Sequence, residues 1–265
     1  MKSSHASAVR NRWVLITGAS SGFGAASALA FGAAGAHLLL GARRTALLRK
    51  VGAAARKAGA ASVQFRELDV SKTSSVCSFL RWVRARTKKV DVLINNAGGA
   101  LGIDPVAAGK DQDWEMMLQS NVLGLLRMCR GTLPLMLQNP GSYIINIGSV
   151  AGHTAYEGGA AYCGAKAAER SITQALRLEL CGTGVRVGSV DPGMAKTEFA
   201  LVRFKGDTAR AEKLYEGMEP LTAEDVAETL VWVASRPPHV CIDELIIKCT
   251  DQAAVHKLHR RTARA

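Results

Sequence analysis

Ser149, Tyr162 and Lys166 stand in the order Ser-x12-Tyr-x3-Lys, a set whose residue types and spacing suit proton transfer. Tyrosine and lysine four residues apart on a helix project from one face, which brings an ammonium close to a phenol. A phenol titrating near ~10 is only roughly 0.1% ionised at neutral pH, and lowering such a value by about three units takes roughly 4 kcal/mol of preferential stabilisation of the phenolate. A neighbouring cation in a partly dry site supplies it. A serine hydroxyl nearby can hydrogen-bond a carbonyl oxygen as charge develops there. Tyr-x3-Lys alone recurs by chance on solvated helices. Its weight here comes from the serine and from a glycine-rich turn, Thr17-Gly18-Ala19-Ser20-Ser21-Gly22-Phe23-Gly24.

That turn follows the apolar run 13–17 and opens a helical pattern. Glycine lets a backbone approach a pyrophosphate, and a helix N-terminus offers unpaired N–H groups with a favourable dipole. No Lys-Ser/Thr pair follows Gly22, so the turn is not a nucleotide loop of the Walker type. Dinucleotide sites that prefer NAD usually carry an acid about 20 residues further on, where it binds ribose hydroxyls. This chain has no Asp or Glu before Glu67 and places Arg43 and Arg44 at that point. Guanidinium suits a 2′-phosphate, which a carboxylate there would repel. The expected cofactor is NADP, with Arg43 as first ligand, Arg44 as second and the Ser20 hydroxyl beside them. The alternative is a pair of exposed arginines that start a helix.

Elements that would position these groups are legible from the pattern. Strand-like runs at 13–17, 36–41, 62–67, 90–94, 142–147, 185–190 and 243–248 alternate with helical patterns. This is the signature of an α/β fold: a Rossmann-type, doubly wound parallel sheet of about seven strands with helices on both faces. The spacing predicts long helices near 111–137 and 155–181. Gly35 and Gly59 mark helix ends, and Pro134, Pro140 and Pro192 are expected at others. A less regular stretch, 194–220, interrupts the last crossover and reads as a substrate lid or as a surface insertion.

Length and composition set the bounds. A chain of 265 residues with 48% hydrophobic and 5% aromatic content fits one domain spanning 1–265. No apolar run approaches the ~18–20 residues of a membrane span. The N-terminus lacks the apolar core of a secretory signal, although its Ser/Arg character allows a short targeting segment, and the C-terminal Ala-Arg-Ala is no peroxisomal signal. The six cysteines have neither C-x-x-C nor zinc spacing; they read as buried thiols in a reducing, cytoplasmic setting, with no metal ligand set. Cys163 reads as a small packing residue beside Tyr162. The net charge of +12 is concentrated in the segment bearing the glycine turn, which suits an anionic cofactor. Arg49, Lys50, Arg56 and Lys57 fit a solvated helix face. No stacking motif or recognised module supports nucleic-acid binding.

The order of Thr17–Gly24, Asn95-Asn96-Ala97-Gly98, Asn121, Ser149, Tyr162-Cys163-Gly164-Ala165-Lys166 and Pro192-Gly193 resembles that of the short-chain dehydrogenases/reductases, over roughly residues 13–250. The runs at 145–152, 197–207, 215–228 and 235–240 are similar to those of the NADP-dependent 3-hydroxy acid dehydrogenases, also called serine dehydrogenases or malonic semialdehyde reductases. The resemblance implies that Tyr162 is the general acid/base, that Lys166 lowers its pKa and binds the nicotinamide ribose, and that Ser149 bonds the substrate oxygen. It implies that Asn121 positions a water linking Lys166 to solvent. It assigns cofactor contacts to Gly18, Ser20, Ser21, Gly22, Phe23, Gly24, Asp69, Val70, Asn95, Ala97, Gly98, Pro192, Gly193 and Thr197, beside Tyr162 and Lys166. It also implies a homo-oligomer, dimer or tetramer, assembled through the two long helices.

A small 3-hydroxy acid such as serine, 3-hydroxyisobutyrate or allo-threonine is the implied substrate, or the matching semialdehyde in reverse. Its carboxylate wants a cation near the lid. Lys196, Arg203 and Lys205 are available, and Arg203 is preferred. Glu157, where relatives often carry proline, and the YCGAK form of the catalytic motif depart from the subfamily and leave room for a drifted substrate range. Alternatives are a broader carbonyl reductase and a non-catalytic NADP-binding scaffold.

Overall fold

The strands form because their apolar runs have two faces to bury. In the computed structural model, which describes residues 8–261, Val14, Ile16, Leu38, Leu40, Val92 and Ile94 pack to one side of a sheet. The residues between them, Leu15, Leu39 and Leu93, pack to the other. Period-two alternation with both sides apolar is what a parallel sheet covered by helices on both faces requires. The expectations placed on the chain's targeting signals lie outside the described residues.

Seven strands pair in parallel: β1 (Trp13–Thr17), β2 (His37–Ala42), β3 (Ser62–Glu67), β4 (Val92–Asn95), β5 (Tyr143–Ile147), β6 (Arg186–Pro192) and β7 (Glu244–Ile247), in the order β3-β2-β1-β4-β5-β6-β7. All seven fall where the apolar runs place them. Helices α1 (Gly22–Ala33), α2 (Thr45–Ala58) and, late in the chain, α9 (Ala223–Ala234) cover one face through Ala28, Phe31, Leu48, Ala55, Val226 and Leu230. Helices α3 (Thr73–Arg84), α5 (Gly124–Met136) and α6 (Ala160–Glu179) cover the other through Phe79, Leu80, Met128, Met136 and Leu176. The strand order reverses between β1 and β4, and a crevice opens beyond their carboxyl ends, the usual ligand position in such sheets.

Several expectations need correction. The helical path 111–136 is three pieces: α4 (Asp111–Met117), a π-helical turn over Leu118–Leu123, and α5. Pro134 lies inside α5 rather than at its end; it sits in the last turn, and its missing N–H removes the bond to the Arg130 carbonyl one turn back. Helix α6 starts at Ala160, not near 155, because Gly158 adopts a positive φ of 73°. The cysteines are free, but only Cys129, Cys163 and Cys249 are buried, whereas Cys77, Cys181 and Cys241 are exposed. The stretch 194–220 holds two short helices, α7 (Glu198–Arg203) and α8 (Thr208–Lys213). Its ends are stitched together: the Leu221 N–H donates to Met194 and the Lys196 N–H to Leu221. A hairpin of β8 (Gln252–Ala254) and β9 (Lys257–Leu258), unanticipated by the pattern, follows the sheet. Arg49, Lys50, Arg56 and Lys57 all face solvent from α2.

One packing constraint ties the fold to the crevice. A Cβ on Gly24 would lie 2.5 Å from the Gly18 carbonyl oxygen and 2.5 Å from Asn96 Nδ2. Only glycine lets α1 seat so closely on the turn after β1. Gly24→Ala is expected to destabilise the protein by about 1–3 kcal/mol, lowering the melting temperature by roughly 2–4 °C per kcal/mol. A calorimetric melt at the wild-type value would show that the helix can shift without cost.

Candidate active site

The turn after β1 is braced before it is used. Thr17 Oγ1 accepts hydrogen bonds from the backbone N–H groups of Asn96 (3.0 Å) and Ala97 (2.9 Å). The Asn96 amide donates to the Thr17 carbonyl at 2.9 Å and the Gly18 carbonyl at 3.3 Å. Gly18 and Gly22 carry the positive φ values, 65° and 51°, that turn the chain into α1. Ser21 caps that helix without a side-chain bond to it, and no acid lies in its first turn. The first N–H groups and the dipole are therefore free for an anion. Thr17 and Asn96 were not singled out as site residues, although Asn96 lies within the Asn-Asn-Ala-Gly motif.

Beyond this turn lies a cleft of about 370 Å³, of a size that suits a cofactor. Gly18, Ser20, Ser21, Gly22, Phe23, Arg43 and Arg44 line one end, with Thr197 over Gly22; Asp69, Val70, Ala97 and Gly98 line the middle, and Tyr162 and Lys166 the other end. Arg44 donates to Ser21 Oγ at 2.6 Å, approaches Ser20 Oγ at 3.4 Å and pairs with Glu198 at 2.8 Å. Arg43 is exposed on the same rim. The donor set of uncapped helix N–H groups, two serines and two guanidiniums fits a phosphorylated dinucleotide.

Other expected contacts stand behind the lining. Gly24 is the packing residue described above. The Asn95 side chain turns inward and donates to Asn146 Oδ1 at 2.9 Å, and Asn146 donates to Thr173 Oγ1 at 2.8 Å. Asp69 is engaged with its own turn, accepting from the Ser71 N–H and hydroxyl. Pro192 ends β6, and the Gly193 N–H donates to the Ile247 carbonyl. Thr197 caps α7 by accepting from the Phe199 N–H at 3.1 Å.

Asn121 sits in the π turn and is buried. Its amide donates to the carbonyls of Gly99 (2.9 Å) and Met117 (2.7 Å), and its oxygen accepts from the Gly99 N–H at 3.0 Å. One amide proton thus clamps the loop after β4 and the other is spent on the end of α4. A Cβ on Gly98 would meet Asn121 Oδ1 at 2.3 Å, which explains the glycine.

Ser149 ends the turn after β5, where its Oγ accepts from the Ala151 N–H at 3.1 Å; the hydroxyl proton remains available to donate. Tyr162 is buried in the second turn's reach of α6, with Cys163, Ala151, Ala100 and Met117 packed around it, and Phe199 of α7 stands 5.6 Å away, ring to ring. Lys166 Nζ lies 5.9 Å from the Tyr162 ring centroid. It donates to the Ile147 carbonyl at 2.9 Å and to both carboxylate oxygens of Glu169, at 3.0 and 2.9 Å.

Glu169 was not anticipated, although a carboxylate three residues after Lys166 on one helical face was a readable signal. Burial pushes its carboxyl up to about 7 even though Lys166 pulls the other way. Burial also works against the Lys166 ammonium, but Glu169, Tyr162 and Asp191 together outweigh it, so the ammonium is held more firmly than usual.

Behind this pair, His153 Nε2 is 2.6 Å from Asp191 Oδ2 and 3.8 Å from Glu244 Oε1. Ligand atoms of these three side chains come within 4.8 Å of one another. Arg170 covers Glu244 through Nε at 2.6 Å and Nη2 at 3.3 Å and holds its carboxyl below the usual range.

The comparisons agree with this geometry. The pattern of the short chain dehydrogenases matches residues 12–207. The NADP-dependent 3-hydroxy acid dehydrogenase of Schizosaccharomyces pombe is 38% identical over 251 residues, 94% of this chain and 97% of the relative. Sulfoacetaldehyde reductase 2 of Chromohalobacter salexigens is 41% identical over 241 residues, 91% of this chain and 95% of the relative. The solved closed form of a serine dehydrogenase complexed with NADP+ superposes with a TM-score of 0.87 at 38% identity, covering 94% of this chain and all of that one (100%). With seven parallel strands, a braced glycine turn, and Tyr162 and Lys166 at one end of the cleft, the chain belongs to the short chain dehydrogenase family and within it resembles the NADP-dependent 3-hydroxy acid dehydrogenases.

Proposed function

We propose that this chain is an NADP-dependent oxidoreductase that interconverts a small 3-hydroxy acid and its semialdehyde, with Arg203 as the receptor for the acid group. The observation that carries the substrate reading is the state of the three lid cations. Lys196 pairs with Glu212 at 2.6 Å and Lys205 with Asp113 at 2.7 Å, both on the surface. Arg203 is buried at the end of α7. Its Nε donates to the Gly102 carbonyl at 3.0 Å, and its Nη2 has no hydrogen-bond partner. The guanidinium stands 5.4 Å from the Tyr156 ring centroid and 5.6 Å from that of Tyr162. A buried, unpaired guanidinium N–H is costly unless an anion completes it. The space beside Tyr162 and Arg203 is lined also by Trp114 and Met117.

In this reading NADP, when bound, accepts or supplies the two electrons and the substrate's carbon-bound hydrogen. The chain's own residues do the rest. Ser149 donates to the substrate oxygen, Tyr162 exchanges the hydroxyl proton, and Lys166 supplies the positive charge that favours the phenolate. Arg43, Arg44 and Ser20 receive the 2′-phosphate. The 194–220 segment acts as the lid on one functional unit spanning 1–265, in the cytoplasm. Glu157 is exposed and does not enter this space.

One relative named for sulfoacetaldehyde supports a second reading, in which Arg203 receives a small sulfonate. The same guanidinium fork suits either anion.

The first test is turnover with NADP(H) against NAD(H) on L-serine, 3-hydroxyisobutyrate, malonic semialdehyde, sulfoacetaldehyde and a bulky ketone. NADP-linked turnover of the small acids is expected, with Tyr162→Phe slower by roughly 100-fold or more. Activity confined to the bulky ketone would overturn the substrate class. Arg203→Leu is expected to lower kcat/KM for the anionic substrates about 10- to 100-fold, the worth of a charge-assisted hydrogen bond. A neutral aldehyde of the same length should change little, and an equal loss on both would remove Arg203 from the acid site.

Assembly belongs to the same proposal. Met116, Leu118, Leu123 and Leu126 are exposed along the α4–α5 path, which supports a homo-oligomer, tetrameric by family analogy. Light scattering of the wild type and of Leu126→Glu should move from oligomer to smaller species; an unchanged mass would place the interface elsewhere.

A further inference from the structure

The catalytic lysine has a partner that the reaction as described so far does not use. Lys166 and Glu169 are both buried, and the ammonium spends its bonds on the Ile147 carbonyl and the two Glu169 oxygens. A proton taken from the substrate must still reach solvent. Asn121 has both amide protons committed to backbone carbonyls. On the far side of Glu169 lies a second cavity of about 10 Å³, close to the volume that holds one water. Polar side chains contribute to its lining: Asn146, Ser149, Lys166, Glu169, Ser189 and Asp191. Asp191 is buried, and His153, bonded to it at 2.6 Å, is partly open to solvent.

We propose that Glu169 is the proton acceptor behind Lys166 and that Asp191 and His153 carry the proton from it to solvent. In oxidation the substrate hydroxyl gives its proton to the Tyr162 phenolate. That proton crosses to Lys166 as Lys166 passes one ammonium proton to Glu169. Tyr162 is again a phenolate, Lys166 again an ammonium, and Glu169 has become a carboxylic acid. The new O–H proton passes through the small cavity to the Asp191–His153 pair, and solvent base takes it from His153. The electron pair leaves with the C–H hydrogen by the oxidoreductase chemistry already described, and reduction runs the same path backwards. Glu169 and His153 act through Lys166 and Tyr162, so they are positioning and relay residues.

The charges around Glu169 set the pH dependence. Lys166 faces it from the same helix and Asp191 from β6; beyond Asp191 stand His153 after β5, Glu244 on β7 and Arg170 on α6. Burial raises Glu169 to about 7 and also raises Asp191, against the hydrogen bond from His153. Below that midpoint Glu169 already holds a proton and cannot accept one, so oxidation slows as pH falls. Above it Glu169 has no proton to return, so reduction slows as pH rises.

The proposal rests on the oxidoreductase reading and not on the choice of acid. The assay uses whichever alcohol and aldehyde the wild type turns over, so a wrong substrate class appears as a silent pair and a wrong relay as an active one with the wrong variants. Steady-state rates in both directions would be followed across neutral pH for wild type, Glu169→Gln and His153→Ala, with and without free imidazole. His153→Ala is expected to lose roughly tenfold in kcat with KM unchanged, and to recover in imidazole. Glu169→Gln is expected to lose the near-neutral limb in both directions, without recovery in imidazole. The proposal is overturned if His153→Ala keeps wild-type kcat, if its loss is not rescued, or if Glu169→Gln retains the limb. Should Glu169→Gln fail to fold, the imidazole response of His153→Ala decides alone.

Discussion

Keeping the Lys166 ammonium charged while it is buried is the constraint on which the rest of the site depends. Removing an ion from water costs several kcal/mol even after the protein relaxes, and a buried ion is tolerated only when excellent geometry and added hydrogen bonds offset that cost. Here the offset comes from two carboxylate oxygens and one carbonyl, all within 3.0 Å. The carbonyl belongs to the last residue of β5, so the strand must end at Ile147. The carboxylate belongs to Glu169, so α6 must run unbroken through the turn after Lys166. A Cβ on Gly152 would sit 2.8 Å from the Lys166 carbonyl, which shows how tightly the turn bearing Ser149 is pressed on that helix. Ser149, Tyr162 and Lys166 share one seam between β5 and α6.

The other end of the cleft meets the same demand by a different route. Arg44 is a surface guanidinium and needs no buried partner; its bond to Glu198 joins two half-exposed groups, an arrangement worth little on its own. What it contributes is position. Glu198 begins α7 and Arg203 ends it, so one six-residue helix touches the cofactor rim at its N-terminus and the catalytic tyrosine at its C-terminus. An anion arriving at Arg44 competes with Glu198 for the same fork. Both contacts run through a single short element, with Thr197 packed over Gly22 at its base.

Much of this was legible in the sequence for specific physical reasons. Strands buried on both faces read as continuous apolar runs, so all seven could be placed. The glycine turn and the Tyr-x3-Lys spacing are local, and local geometry survives without knowledge of the fold. The failures come from contacts distant in the chain. Nothing near Asn121 announces the π turn, which depends on hydrogen bonds to the loop at Gly99. Asn95 reads as a lining residue, yet the alternation of β4 turns its amide inward to Asn146 on the neighbouring strand. The exposure of Cys77, Cys181 and Cys241 follows from helix and loop orientation, which composition does not carry. His153, Asp191 and Glu244 arise from three separate elements and become a group only when β6 and β7 pair.

Arg203 shows how the two kinds of information combine. From sequence, Lys196, Arg203 and Lys205 were available as acid receptors, with Arg203 preferred. The fold ranks them by burial: Lys196 and Lys205 find carboxylates at the surface, whereas Arg203 is drawn between Tyr156 and Tyr162 with one nitrogen unpaired. Burial beside Tyr156 also pushes that phenol up to about 12, although the nearby guanidinium acts in the opposite direction, so Tyr156 remains a neutral donor and does not neutralise Arg203. The site thus holds two buried cations with opposite circumstances. Lys166 has its counter-ion built into the helix, and Arg203 has none from the chain. Under the function proposed above, the substrate supplies that second anion.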